Sequence, residues 1–260
     1  HPLVYSMIIV GIIILAFFIS KQLRMKEPFL NVCVFSYKSF TMNMILVCIV
    51  FISFIGSQTV LSFYMQDLHH FSAFKSGLAL MPGGIIAGIL SPITGRIFDK
   101  YGDKFLSITG LAIVVMTSFA FTQLHASTSF VYITIFFAIS LAANAMVFNP
   151  LTTAALNNLP RSLVPHGTSM NNTMRQVGAA MGSAVLVTIM NTTILNPHQY
   201  GIEGLVHGVR IAYIVICVIA VIGLILAIFN PTSKKGYTEN NKMKVYMIKV
   251  CIIIFNLFIR

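Results

Sequence analysis

The sequence predicts an all-α integral membrane protein of about seven transmembrane helices: one helix with a basic linker, then a bundle of six. Three observations predict it. The 260 residues are 57% apolar and 9% charged, with a mean hydropathy of +0.87, whereas soluble domains carry about 25% charged residues. The apolar runs are continuous over about 20 residues rather than alternating over about 10, which selects spanning helices over barrel strands. The topology those runs define also gathers the basic residues on one face.

The runs are residues 3–20, 40–63, 78–94, 105–124, 130–151, 173–195 and 206–229. The linker before the second run carries Lys21, Arg24, Lys26 and Lys38. The second connection holds Asp67, His69, His70 and Lys75. The third is Gly95-Arg96-Ile97-Phe98-Asp99-Lys100-Tyr101-Gly102-Asp103-Lys104, too charged to lie within hydrocarbon. A short connection, 125–129, joins the fourth and fifth runs. Polar loops around Asn157–Pro165 and Asn196–Glu203 precede the sixth and seventh.

Seven spans put the chain ends on opposite faces. Lys75 and Arg210 fall on one face and the other 15 of the 17 Lys and Arg on the opposite one. The positive-inside rule makes the basic face cytoplasmic, with the N-terminus outside and the C-terminus inside a plasma membrane. The same asymmetry accounts for the net charge of +11 with the lipid bilayer as partner and no nucleic acid. The domains read as 1–39, a central helix and basic linker; 40–230, a six-helix domain; and 231–260, a cytoplasmic tail. Within the tail, apolar residues 250–259 are too short to span and suit an interfacial helix. Residue 1 is His and the first run begins within three residues, so the chain reads as a fragment without a leader.

The spans contain no acidic residue. Glu27, Asp67, Asp99, Asp103, Glu203 and Glu239 all lie in loops, at span edges or in the tail. No lysine is mid-span, and the seven His lie at span ends, in loops or at the terminus. A membrane-embedded hydrolase needs buried His, Glu or Asp to activate water, which argues against an enzyme. No cofactor is called for. Adjacent His69 and His70 point in different directions and have no suitably spaced acidic or Cys partner, so no metal site is expected. A proton relay needs a titratable group at depth, and these spans supply no carboxylate. Cys33, Cys48, Cys217 and Cys251 lack ligand or pairing patterns and read as small hydrophobes.

The strongest candidate for function is the charged stretch: Gly95, Arg96, Asp99, Lys100 and Gly102. Placed just before the run at 105, Asp99 would favour the positive end of a helix dipole. It would also pair with Arg96, Lys100 or a basic group on a neighbouring helix. In a moving protein such a pair can hold one face shut; a solvated carboxylate contributing little is the plainer alternative. Gly178 and Gly182 have the spacing that lets helices approach closely in lipid, and Gly84 and Gly88 repeat it. Pro82 offers a kink, and kinked spans often line transport paths. Arg175 is expected at the cytoplasmic edge, as a snorkelling anchor or a gating charge.

Several stretches match one pattern. They are Glu27-Pro28-Phe29-Leu30 with Val34-Phe35, Tyr64-Met65-Gln66, Ser76-Gly77-Leu78-Ala79-Leu80-Met81-Pro82, the charged stretch, Asn149-Pro150-Leu151 and Arg175-Gln176-Val177-Gly178. In order and spacing they resemble the C-terminal part of the fourteen-span drug:proton antiporters of the major facilitator superfamily, the QacA/EmrB type. Residues 3–20 resemble the second of that family's extra central helices, and the remaining six spans its C-terminal six-helix domain. The resemblance implies two six-helix domains built of inverted three-helix repeats, with a small amphipathic substrate bound between them. It implies alternating access and proton-driven export of amphipathic, often cationic drugs. The missing N-terminal half would then be a partner and would hold the proton site. Gly95 and Asp99 match the family loop; Asp103 departs from it, since a basic residue is usual there. The 21 Phe and 14 Met suit a greasy, adaptable pocket. A nonfunctional truncation, a structural membrane subunit or a seven-span receptor share the topology. A receptor pigment would need a mid-span lysine, and none is present.

Overall fold

Among the described residues of the computed structural model, 2–24, 31–195 and 197–230, the structure is helical and no strand occurs. Helix α1 is Pro2–Arg24. A short 3-10 turn, Val32–Ser36, leads into α2, Lys38–Phe63. This helix widens into a π-turn, Tyr64–Leu68, and ends as His70 enters the left-handed region at φ 52. The next helix, Ala73–Thr122, opens on Ser72, whose side chain accepts from the Lys75 amide at 3.2 Å, a standard N-cap.

Fifty straight residues would run about 75 Å, more than twice the ~30 Å hydrocarbon core. The chain breaks instead at Gly102, with φ 80 and ψ −177. We call 73–101 α3 and 103–122 α4. Helix α5 is Phe130–Asn157, capped by Ser129; α6 is Val164–Thr192, with Pro165 in its first turn; α7 is Pro197–Phe229, with a second break at Gly201. Seven helical limbs result, and the expected all-α membrane architecture is observed. Among the described residues, four helices are long and apolar enough to cross a membrane: Lys38–Leu68, Ala73–Thr122, Phe130–Asn157 and Tyr200–Phe229. The second of these supplies two limbs.

Two expectations are corrected. The charged stretch is not a loop: helix α3 continues through Arg96, Asp99 and Lys100 to Tyr101, and only Gly102 turns the chain. Helix α6 begins at Val164, well before the run at 173. The reason is common to both. Hydropathy marks the part of a helix that suits lipid, while backbone hydrogen bonding continues through any residues that tolerate it. In α6 the hydroxyls of Thr168, Ser169 and Thr173 each donate to the carbonyl four residues back, at 3.0–3.1 Å, so polar residues sit in helix without competing for its ends. Residues 25–30 of the linker and the tail 231–260, including 250–259, lie outside the described residues.

Helix α5 lies along α3 and α4, α2 packs on α6, α5 and α7, and α7 also rests against the α3–α4 unit. One buried cluster fills the end where α2 finishes: Leu61, Tyr64, Phe121, Ile133, Met190 and Tyr213 are at its heart. A second fills the end where α2 begins, with Phe40, Met44, Val47, Leu111, Leu151 and Met170. Some polar groups inside the bundle pair across helices. Tyr213 is fully buried; its hydroxyl donates to the Ser57 carbonyl at 3.1 Å and accepts from Ser57 Oγ at 3.2 Å. Asn230 Nδ2 donates to Asn43 Oδ1 at 2.7 Å, tying the end of α7 to the start of α2.

Candidate functional site

At the α3–α4 break, Arg96, Asp99 and Lys100 are all exposed. The Lys100 ammonium lies 5.1 Å from the Tyr101 ring centroid. The single ion pair among the described residues joins Glu203 to Arg210 at 3.3 Å, so Asp99 has no basic partner there. Asp99 also lies in the last turn of α3, not at the start of α4. The dipole is negative at that end, so the expected dipole benefit does not apply and any stabilisation must come from a cation. The carboxylate that opens α4 belongs to Asp103. It is 2% exposed and its Oδ1 has no hydrogen-bond partner among the described residues. Sequence reasoning treated Asp103 only as a departure from a family loop. The available signal was its position directly after Gly102 and before an apolar run. Ser107 Oγ donates to the Asp103 backbone carbonyl at 2.7 Å and fixes the first turn.

Helices α2 and α6 cross in parallel, since contacting residue numbers rise together. Cys48 Sγ lies 3.6 Å from the Met174 carbonyl oxygen, Gly178 faces Cys48 and Gly182 faces Ile52. A Cβ at Gly182 would come 2.7 Å from the Ile52 carbonyl oxygen and 2.8 Å from its Cα; one at Gly178 would come 3.3 Å from the Cys48 oxygen. Gly84 and Gly88 behave differently: a Cβ at either meets nothing within 4 Å. The close approach in α3 falls on Gly83, where a Cβ would lie 3.0 Å from the Ala138 Cα of α5. Pro82 lies inside α3, and the break in φ/ψ comes at Gly102.

Arg175 lies against aromatic rings of α2 and α5. Its guanidinium carbon lies 4.3 Å from the Phe51 ring centroid and 5.9 Å from that of Phe148. Those rings pack together at 4.3 Å, and Phe54 stands edge-on to both. Phe51 is midway along α2, roughly 20 Å from its first residue. Arg175 itself is half-buried. A desolvated cation–π contact is worth about 2 kcal/mol, which offsets part of the cost of holding this charge at depth. Sequence reasoning missed this aromatic platform because its members come from α2 and α5.

On the exposed face of α6, Thr168, Asn172, Thr173 and Gln176 lie around Arg175 and Thr188 and Asn191 near the far end, with Val177, Ala180, Met181, Ala184 and Val185 exposed between them. The exposed residues of α3 and α7 include Ile85, Ile89, Val218 and Ile225, which suit lipid or an apolar neighbour.

The end where α2 finishes is held by a polar tie. Arg210 of α7 donates to the Leu124 carbonyl, approaches His125 Nδ1 at 2.6 Å and pairs with Glu203. Glu203 accepts from the Ala126 amide at 3.0 Å, and the Tyr64 hydroxyl donates to the His125 carbonyl at 2.5 Å. Beside it, burial and then the Lys75 charge push the His69 imidazole below its ordinary pKa. The Lys75 ammonium itself sits 4.0 Å from the Phe71 ring centroid. No group of three or more metal-ligating side chains occurs among the described residues.

Helices of this length and apolarity, folded as a bundle with charged turns at its faces, define a multi-pass membrane protein. The major facilitator superfamily profile matches residues 3–183, and the chain belongs to that family of transporters. It is 41% identical over 221 residues to an uncharacterized MFS-type transporter, YcnB, of Bacillus subtilis, covering 85% of this chain and 47% of that protein. It is 38% identical over 242 residues to the lincomycin resistance protein LmrB of Bacillus subtilis, covering 90% of this chain and 50% of LmrB. The multidrug export protein EmrB of Haemophilus influenzae is 25% identical over 183 residues, covering 70% of this chain and 36% of EmrB. The chain thus spans about half the length of the first two relatives.

Proposed function

We propose that the chain forms the C-terminal half of a proton-driven exporter of small amphipathic drugs, working against an N-terminal six-helix half, with no enzymatic activity of its own. The observation that carries this reading is the exposed polar face of α6. Thr168, Asn172, Thr173 and Gln176 are exposed together over the first half of α6, and such amides and hydroxyls are costly against lipid. They suit a water-filled path between two halves, where such groups hold a substrate by adaptable hydrogen bonds. Names of relatives that print drug resistance or export support the substrate class. Residues 1–39 act as a linker helix and 40–230 as the transporter domain. Asp99, exposed at the α3–α4 break, meets a basic group of the other half and closes one face of the path. Arg96, Lys100 and Gly102 set the shape and charge of that contact.

The end where α2 begins faces the cytoplasm of a plasma membrane, because the seven-span topology puts 15 of the 17 basic residues on that side and only Lys75 and Arg210 on the other. In a cysteine-free background, Ser127→Cys is expected to react with a membrane-impermeant maleimide from outside, and Ser162→Cys only after permeabilisation. Both sites are exposed. The reverse pattern would invert the topology.

The test of function is dissipation of a proton gradient by a cationic dye in everted vesicles. Activity is expected with the N-terminal half restored and none with this chain alone. Asp99→Asn in the restored protein should lower the rate at least tenfold with normal insertion. Wild-type rates in that variant would remove Asp99 from the gate, and no activity in the restored protein would remove proton-coupled drug export.

A further inference from the structure

Arg175, half-buried near the middle of α6, has a guanidinium whose nitrogens make no hydrogen bond and no ion pair among the described residues. A guanidinium carries five N–H donors and stays charged. One face of it is occupied by Phe51, with Phe148 beside. An aromatic contact satisfies none of the N–H donors, and a guanidinium with free donors can present a two-pronged fork to a planar or tetrahedral anion. Asn172 and Gln176, three residues before and one after, are exposed on the same helix, so donors and amides adjoin the polar face of α6. No acidic residue occurs in the spans to satisfy the charge. A cation held at depth without a partner marks a functional site.

We propose that Arg175, seated on the Phe51–Phe148 platform, binds the anionic group of a transported amphiphile, a carboxylate or sulfonate whose apolar body lies against the aromatic rings. This rests on the exporter reading above and narrows it: the substrates include amphipathic anions, not only the cations that the family resemblance suggests. Phe54, edge-on to both rings, holds the platform rather than touching the ligand.

The test uses the complete transporter, purified in detergent, and two probes of similar size: an arylsulfonate dye and a cationic phenanthridinium dye. Binding is measured by calorimetry for wild type, Arg175→Gln and Arg175→Lys. Loss of a two-pronged charged contact is expected to weaken sulfonate binding by tenfold or more in Arg175→Gln. Arg175→Lys should fall between, keeping charge but losing the fork, while cation binding changes less than twofold. An equal loss for both dyes in a stably folded variant would overturn the site, pointing to a carboxylate of the other half as the partner of Arg175. So would sulfonate binding that ignores Arg175, or no sulfonate binding in the wild type. Transport assays separate the two readings. Arg175-dependent sulfonate binding without transport would retain the site and remove the exporter, whereas cation transport without sulfonate binding would do the opposite.

Discussion

Gly182→Val is expected to unfold or strongly destabilise the six-helix bundle. A Cβ at that position would stand 2.7 Å from the Ile52 carbonyl oxygen, 2.8 Å from its Cα and 3.1 Å from its carbonyl carbon. All three are backbone atoms, so no side chain can swing aside, and α2 and α6 must separate. Overpacking of this kind costs about 1–3 kcal/mol. Alanine recovers up to about 1 kcal/mol of helix propensity; valine recovers less and adds bulk. Helices in lipid have no hydrophobic force to hold them together, so close packing supplies much of their association energy. The expected order of melting temperatures, measured on purified protein in detergent, is wild type, then Gly178→Ala, then Gly182→Ala, then Gly182→Val. Gly84→Ala, where a Cβ meets nothing within 4 Å, should melt at or slightly above wild type. A Gly182→Val protein that melts with wild type would show that the α2–α6 crossing is not close-packed in the membrane.

The comparison of these glycines shows what a sequence reveals and where it stops. Residues four apart share a helix face, so Gly178 with Gly182 and Gly84 with Gly88 look alike. The spacing does not say which face meets a neighbour, and in α3 that contact belongs to Gly83. The number of helices was legible because solvent in a bilayer is uniform and every span must satisfy its own backbone. Helix ends were not, because Thr and Ser in α6 bond back to the preceding turn. The Arg175 platform was hidden for a different reason: Phe51 and Phe148 come from other helices, and aromatic residues are common throughout this chain. Charge was legible as a loop signature, but its division between the end of α3 and the start of α4 depended on the conformation of one residue.

That residue, Gly102, gives the second large effect. Its φ of 80 and ψ of −177 lie in a region open essentially to glycine alone, and any side chain there costs about 1–3 kcal/mol. Asparagine tolerates the left-handed helical region but not this extended mirror of it, so neither Gly102→Ala nor Gly102→Asn should preserve the break. The chain can relieve the strain only by changing the angle between α3 and α4. That shifts Asp99 and Lys100 on one side relative to buried Asp103 on the other. Both variants are therefore expected to lower the melting temperature and to reduce transport at least tenfold in the complete protein. Gly95 is the control, since it belongs to the same signature yet is helical, with nothing within 4 Å of its Cβ position. Gly95→Ala should leave stability unchanged or slightly raised. If it nevertheless impairs transport, Gly95 faces the other half of the transporter. If Gly102→Ala matches wild type in both measurements, the break is soft and the gate does not depend on it.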